Sequence, residues 1–164
     1  MSLIDHRSPL LRTWLFGPGA DSTAHEAMSA SGAHVLIQDL EDSTPPPLRE
    51  KARALAAGLF GRWRMTGARV CVRINSLSGD GPLDLACVIP AKPDFIAYPM
   101  AATASDMREL DRAITALEKQ AGLAPGSIGI VPVCETALGV VNVREIAAAS
   151  PRIRYALQIG RAHV

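Results

Sequence analysis

Six short runs along the chain are apolar at consecutive rather than alternate positions: 13–16, 34–40, 69–75, 95–99, 128–134 and 153–157. Strands covered on both faces have this pattern, and the brevity of the runs favours strand over buried helix. The stretches between them repeat apolar residues at helical spacing. The clearest is 105–121, where Met107, Leu110, Ile114, Leu117 and Ala121 share a face and Gly122 follows as a stop. Leu48, Ala52, Leu55 and Leu59 do the same after Pro45-Pro46-Pro47, whose last proline suits a first helical turn because no amide donor is needed there. Gly61 is expected to close that helix. Two more helices are expected at about 23–31 and 139–149, and 76–82 reads as a loop. Strands alternating with helices predict βα units and a parallel sheet, either a barrel or a doubly wound sheet.

Composition narrows the partners. At 164 residues and 48% hydrophobic the chain can bury one real core, which favours a single domain. Lys and Arg total 17 against 16 Asp and Glu, a formal net charge of +1, so no large field draws it to nucleic acid or membrane. Asp5, His6 and Arg7 precede any apolar run, and no stretch reaches the roughly 18 uncharged residues of a membrane span. A small-molecule partner and a cytoplasmic location are expected. Cys71, Cys87 and Cys134 are odd in number and lack CxxC spacing, as expected of buried, reduced thiols.

Polar residues gather where the strands end, the edge that carries the active site in α/β folds. The second run leads into Asp39-Leu40-Glu41-Asp42, the third ends Arg73-Ile74-Asn75, the fourth Tyr98-Pro99-Met100 and the fifth Cys134-Glu135-Thr136. Taken singly, Glu135 reads better as a capping or salt-bridging carboxylate and the triple-acid turn as a solvated loop, but here several such residues converge. Arg73 is different, because an arginine inside an apolar strand needs an anionic partner, either Glu41 or a substrate carboxylate. His6, His25, His34 and His163 lack zinc-site spacing. Gly17-Pro18-Gly19 lacks the spacing of a phosphate loop, although its amides could approach an anion.

Several of these segments together resemble the HpcH/HpaI aldolase and citrate lyase β-subunit family, especially its citrate-lyase-β-like branch. They are Arg12-Thr13-Trp14-Leu15-Phe16-Gly17-Pro18-Gly19, similar to an RSxLFVPG opening, then Asp39-Leu40-Glu41-Asp42, Lys51-Ala52-Arg53, Val72-Arg73-Ile74-Asn75, Glu135-Thr136-Ala137-Leu138-Gly139 and Asn142-Val143-Arg144-Glu145-Ile146, in family order. The resemblance implies a (β/α)₈ TIM barrel, usually a homo-oligomer, that cleaves or forms a carbon–carbon bond in citryl-, malyl- or citramalyl-CoA-like esters with Mg²⁺. It further implies Glu135 as a metal ligand, Arg73 as the holder of the substrate's carboxylate end, Glu41 and Asp42 as acid/base carboxylates, and Arg12 as an anion contact at the barrel mouth. Two alternatives stay open: a 2-oxo-3-deoxy acid aldolase of the same superfamily, and a non-catalytic acyl-CoA-binding barrel.

The chain departs from the family pattern twice. Pro99-Met100 stands where Pro-Lys is common, and the aspartate of a Phe-Gly-Ala-Glu-Asp-like segment, the second metal ligand, is replaced by Gln158-Ile159-Gly160-Arg161. About six βα units cannot close an eight-stranded barrel of roughly 250 residues, so 1–157 is expected to be a partial lyase domain, inactive on its own. Residues 159–164 can be encoded by ATC GGA AGA GCA CAC GTC, the start of a widely used short-read sequencing adapter, so 158–164 is expected to be a non-native tail.

Overall fold

The computed structural model describes residues 10–158; most of the expected non-native tail, 159–164, lies outside them. Five parallel strands form one sheet in chain order: β1 (Trp14–Pro18), β2 (Val35–Asp39), β3 (Arg69–Arg73), β4 (Phe95–Tyr98) and β5 (Gly129–Pro132). Each is followed on the same side by helix: α1 (Ser22–Ser29), α2 (Arg49–Met65), α3 (Gly81–Val88), α4 (Ala104–Gln120), then α5 (Ala137–Val141) and α6 (Val143–Ala148). The segment expected as a sixth strand runs beside β5 but bridges it only at Ile153 and Leu157.

The apolar runs are apolar throughout because both faces are covered. Outward residues Leu36, Val70, Val72, Ile96 and Ile130 pack under Leu59, Phe60, Trp63, Leu85, Met107 and Leu110 of the helices. Inward residues Val35, Ile37, Cys71, Ala97 and Val131 form a second cluster with Trp14, Phe16, Phe95 and Tyr155. Tyr155 lies 5.3 Å from Trp14 and 5.7 Å from Phe95, ring centre to ring centre. These rings bring the first strand close to the sixth segment, so the sheet curls as an incomplete barrel.

Four expectations change. The α2 helix does not stop at Gly61 but runs to Met65, because its buried stripe of Ala52, Ala56, Leu59 and Phe60 continues to Trp63, which is fully buried. Burying that indole outweighs the ~1 kcal/mol cost of a mid-helix glycine. The loop expected at 76–82 holds to Asp80, but an unexpected helix, α3, follows from Gly81, with Pro82 in its first turn and Asp84 and Leu85 buried. The helix expected at 139–149 is two short helices meeting at Asn142, whose Nδ2 donates to the Ala102 carbonyl (2.9 Å). Cys87 is exposed on α3, while Cys71 and Cys134 are buried; all three are free.

By contrast α4 matches its pattern closely. Thr103 and Asp106 form a reciprocal capping box at its start, and Gly122, at φ 68°, supplies the left-handed turn that ends it. Its inner side carries Glu118, fully buried, which accepts from Arg152 Nη2 (2.7 Å) and from the Gly126 and Ile128 amides. Burial alone would raise that carboxyl, but Arg152 and the two amides hold it at about 2. The pair ties α4 to the start of the sixth segment.

Candidate active site

Strand register decides which side chains meet. Asp39 and Arg73 are the last residues of β2 and β3, paired in register, and both share the inward parity of Ile37 and Cys71. They form a forked ion pair: Arg73 Nε donates to Asp39 Oδ1 (2.8 Å) and Nη2 to Oδ2 (2.6 Å). Asp39 is fully buried and also receives the Glu41 and Ser43 amides, so the same carboxylate pins the loop carrying Glu41 and Asp42. Burial would raise the Asp39 carboxyl, yet Arg73 foremost, with Ser43 and the Glu41 amide, holds it below the usual range. The guanidinium also stacks on Phe16, 5.1 Å from the ring centre.

Arg73 Nη1 turns to the acidic loop and donates to Asp42 Oδ2. Glu41 Oε2 lies 3.0 Å from it, too far off line to be a hydrogen bond, and Asp42 Oδ2 lies 3.3 Å away. Burial raises the Glu41 carboxyl above its ordinary value; Arg73 opposes this, and the charges of Asp42, Asp39 and Glu135 add to it. Glu135 thus belongs to the same electrostatic cluster. It follows β5 with the inward parity of Val131 and Val133, and its Oε1 accepts the Met100 amide (3.0 Å). Thr136 then caps α5 through Gly139 (3.0 Å), a glycine because a Cβ there would sit 2.2 Å from the Ala101 carbonyl.

Glu41, Asp42, Arg73 and Glu135 are therefore gathered at one rim, beside a cavity of about 300 Å³ that Glu41, Asp42, Arg49, Asn75 and Met100 help to line. Arg12 is not with them. It is exposed two residues ahead of β1, at the N-terminal edge of the sheet and six residues before Pro18, which is level with Asp39, so about 20 Å from the rim by strand rise. Nor is the Gly19 amide free for an anion, since it donates to Thr44 Oγ1 (2.8 Å). Two members of the rim escape a reading of single positions: Asp39, which takes the fork of Arg73, and Asp84, buried on α3 beneath Asn75. The parity of 35–37–39 with 69–71–73 is the signal for the first; nothing marks the second, because α3 itself is not evident.

Among the described residues no three His, Cys, Asp or Glu side chains converge as a ready metal site. The rim nevertheless fits a hard cation. Asp39 is taken up by Arg73 and the Ser43 and Glu41 groups, but Glu41, Asp42 and Glu135 remain as acidic side chains of the rim, and Mg²⁺ needs only one or two carboxylates beside water and substrate oxygens.

A curled parallel βα sheet with an acidic, arginine-bearing C-terminal rim defines an incomplete TIM-type barrel with a candidate enzyme site. Residues 12–162 match the HpcH/HpaI aldolase/citrate lyase family, and the chain belongs to it. It is 31% identical over 153 residues to the citrate lyase subunit beta of Escherichia coli K12, covering 93% of this chain and 51% of that protein. It is 35% identical over 158 residues to an L-malyl-CoA/beta-methylmalyl-CoA lyase of Cereibacter sphaeroides, covering 92% and 48%. The crystal structure of the protein CitE from Mycobacterium tuberculosis, in complex with magnesium and acetate, is similar at a TM-score of 0.61 and 28% identity, over 88% of this chain and 52% of that one. The chain thus spans about half the length of the curated relatives it matches.

Proposed function

We propose that the protein to which this chain belongs is a Mg²⁺-dependent carbon–carbon lyase that cleaves a 3-hydroxyacyl-CoA ester. The observation that carries this is the cluster of Arg73, Glu41, Asp42 and Glu135 at one rim, with the Glu41 carboxyl raised by burial and by its acidic neighbours. Relatives named citrate lyase subunit beta and L-malyl-CoA/beta-methylmalyl-CoA lyase support the substrate class.

Glu135 would hold the cation, with Asp42 near its waters. Bound Mg²⁺ supplies fixed positive charge against the negative charge that develops on substrate oxygens during cleavage. Arg73 would orient the carboxylate end of the substrate through Nη1, the nitrogen not committed to Asp39, exchanging its contacts with Asp42 and Glu41 for the substrate. Glu41, with its raised carboxyl, accepts the hydroxyl proton. The adjacent C–C bond then breaks, its electron pair passes to the carbon beside the thioester, and a carbonyl forms where the hydroxyl stood. Self-association of the full-length protein and a cytoplasmic location belong to the same reading.

The test is turnover by the full-length protein on a panel of 3-hydroxyacyl-CoA esters, with and without Mg²⁺. Magnesium-dependent release of an oxo-acid and a shorter acyl-CoA is expected. Cleavage of free 2-oxo-3-deoxy acids in preference to thioesters would overturn the reading, as would thioester binding with no turnover at all.

A further inference from the structure

We infer that Asn75 is a substrate-binding residue whose side-chain carbonyl accepts a hydrogen bond from the substrate's hydroxyl, and that Asp84 and Arg53 are the residues that position it. This rests on the acyl-CoA lyase reading above. The Asn75 side chain is buried, and its Nδ2 donates both to the Leu40 carbonyl (2.9 Å) and to Asp84 Oδ2 (2.8 Å). The carbonyl can only accept, and so can the ionised carboxylate, so the two bonds fix which end of the amide is which. The NH₂ is turned inward. Oδ1 receives no donor from the described residues and is not sealed from solvent, so it opens onto the cavity that Asn75 lines beside Glu41 and Asp42.

The support behind this amide is built for rigidity. Asp84 is fully buried, takes the Asn75 backbone amide as well (2.8 Å), and is held through Oδ1 by Arg53 Nε (2.7 Å). Arg53 in turn shares Asp80 with Arg49, at 3.1 Å each. An arginine, a buried aspartate and a buried amide thus stand in line behind one exposed carbonyl oxygen. A side chain buried only for packing would have both ends of its amide satisfied by protein. Here the acceptor faces a cavity whose other polar lining is engaged elsewhere, Arg49 with Asp80, Thr44 with Gly19 and Asp39, and Ser76 with Ser78, so Oδ1 is left to accept from a ligand. In a 3-hydroxyacyl thioester the O–H donor at the reacting carbon is the hydroxyl, which Oδ1 holds in the bound substrate before the O–H turns to Glu41 for the proton transfer.

The experiment compares two ligands on the full-length enzyme: a cleavable 3-hydroxydicarboxyl-CoA ester, read as kcat/KM, and its uncleavable 3-deoxy counterpart, read as the Ki of a competitive inhibitor. Asn75→Ala should cut kcat/KM for the hydroxy ester about tenfold while moving the deoxy ester's Ki less than about twofold. Asp84→Asn, which sets an amide against the Asn75 N–H, should give a smaller loss with the same selectivity. Asn75→Ser serves if the alanine variant does not fold, because its hydroxyl is too short to replace Oδ1. Equal weakening of both ligands, or no effect on either, overturns the assignment and leaves the lyase reading standing. A wild-type enzyme that cleaves no thioester refutes that reading, and this assignment with it.

Discussion

Replacing Asp39 with asparagine, an isosteric change, tests how the rim is held together. The carboxylate receives Arg73 Nε and the Glu41 amide on Oδ1, and Arg73 Nη2, the Ser43 amide and the Ser43 hydroxyl on Oδ2. Every partner is a donor, so an amide NH₂ faces donors whichever way it lies. Breaking a buried ion pair by removing one charge costs about 3–5 kcal/mol. Glu41 and Asp42 remain within 3.3 Å of Nη1 and retain part of the attraction, which places the loss near 3 kcal/mol. That corresponds to a fall in melting temperature of about 6–12 °C for a domain of 150–250 residues. Urea unfolding of the full-length protein followed by circular dichroism should show a lower midpoint with an unchanged slope. Because the Asp39 carboxyl is held below its ordinary value, the stability it confers is complete above the ordinary carboxylate range and fades as pH falls toward the lower native value. Wild type and Asp39→Asn should therefore converge in acid. A loss below about 1 kcal/mol at pH 7 would mean that Glu41 and Asp42, rather than Asp39, hold Arg73.

Three further outcomes are expected. Glu135→Gln in the full-length protein should abolish Mg²⁺-dependent turnover with little change in melting temperature, since it removes charge at a rim rather than volume from the core; normal metal dependence would remove Glu135 from the metal site. Arg73→Lys should lower kcat/KM about ten- to a hundredfold, because an ammonium cannot grip Asp39 with a fork and still present a donor outward; a large fall in melting temperature without a kinetic change would make Arg73 structural. His25 is buried with Nδ1 unpartnered and Nε2 on the Pro18 carbonyl (2.7 Å), and burial, aided by Arg62 against Pro18 and Asp21, holds its pKa below the ordinary value. Stability should be complete above about pH 6.5 and decline below it as the ring is forced to charge. His25→Phe should flatten that decline, and an unchanged slope of melting temperature between pH 7 and 5 would rule His25 out.

The strands were legible because a parallel sheet covered on both faces leaves an unbroken apolar signature. Their ends were less so: 34–40 contains β2, but pairing stops at Asp39, where the carboxylate turns from ladder to side-chain chemistry. Helix α4 was legible because one stripe, one capping box and one glycine stop agree. Helix α3 was not, because Ser76, Ser78, Gly79 and Gly81 read as turn chemistry while the forces that fold it are tertiary. Asp84 is drawn inward by Arg53 and Asn75, and Gly81 packs so closely that a Cβ would lie 2.5 Å from the Asn75 carbonyl.

The same distinction explains the site. Arg73 announces itself as a charge inside a strand, but its first partner is decided by register. Glu41 is two residues past the strand end and Asp39 is level with the arginine, so the fork goes to Asp39 and only Nη1 is left for Glu41 and Asp42. Arg12 shows the converse. Its motif neighbours Trp14 and Phe16 do belong to the barrel interior, yet a residue ahead of a parallel strand lies at the edge opposite one that follows it. Motif membership therefore brought together residues that strand polarity separates. In a parallel βα sheet, chemistry is shared by residues at or just past the ends of their strands; Asp39 and Arg73 end theirs and Glu135 follows β5 by three residues, all with matching inward parity, while Arg12 precedes its strand.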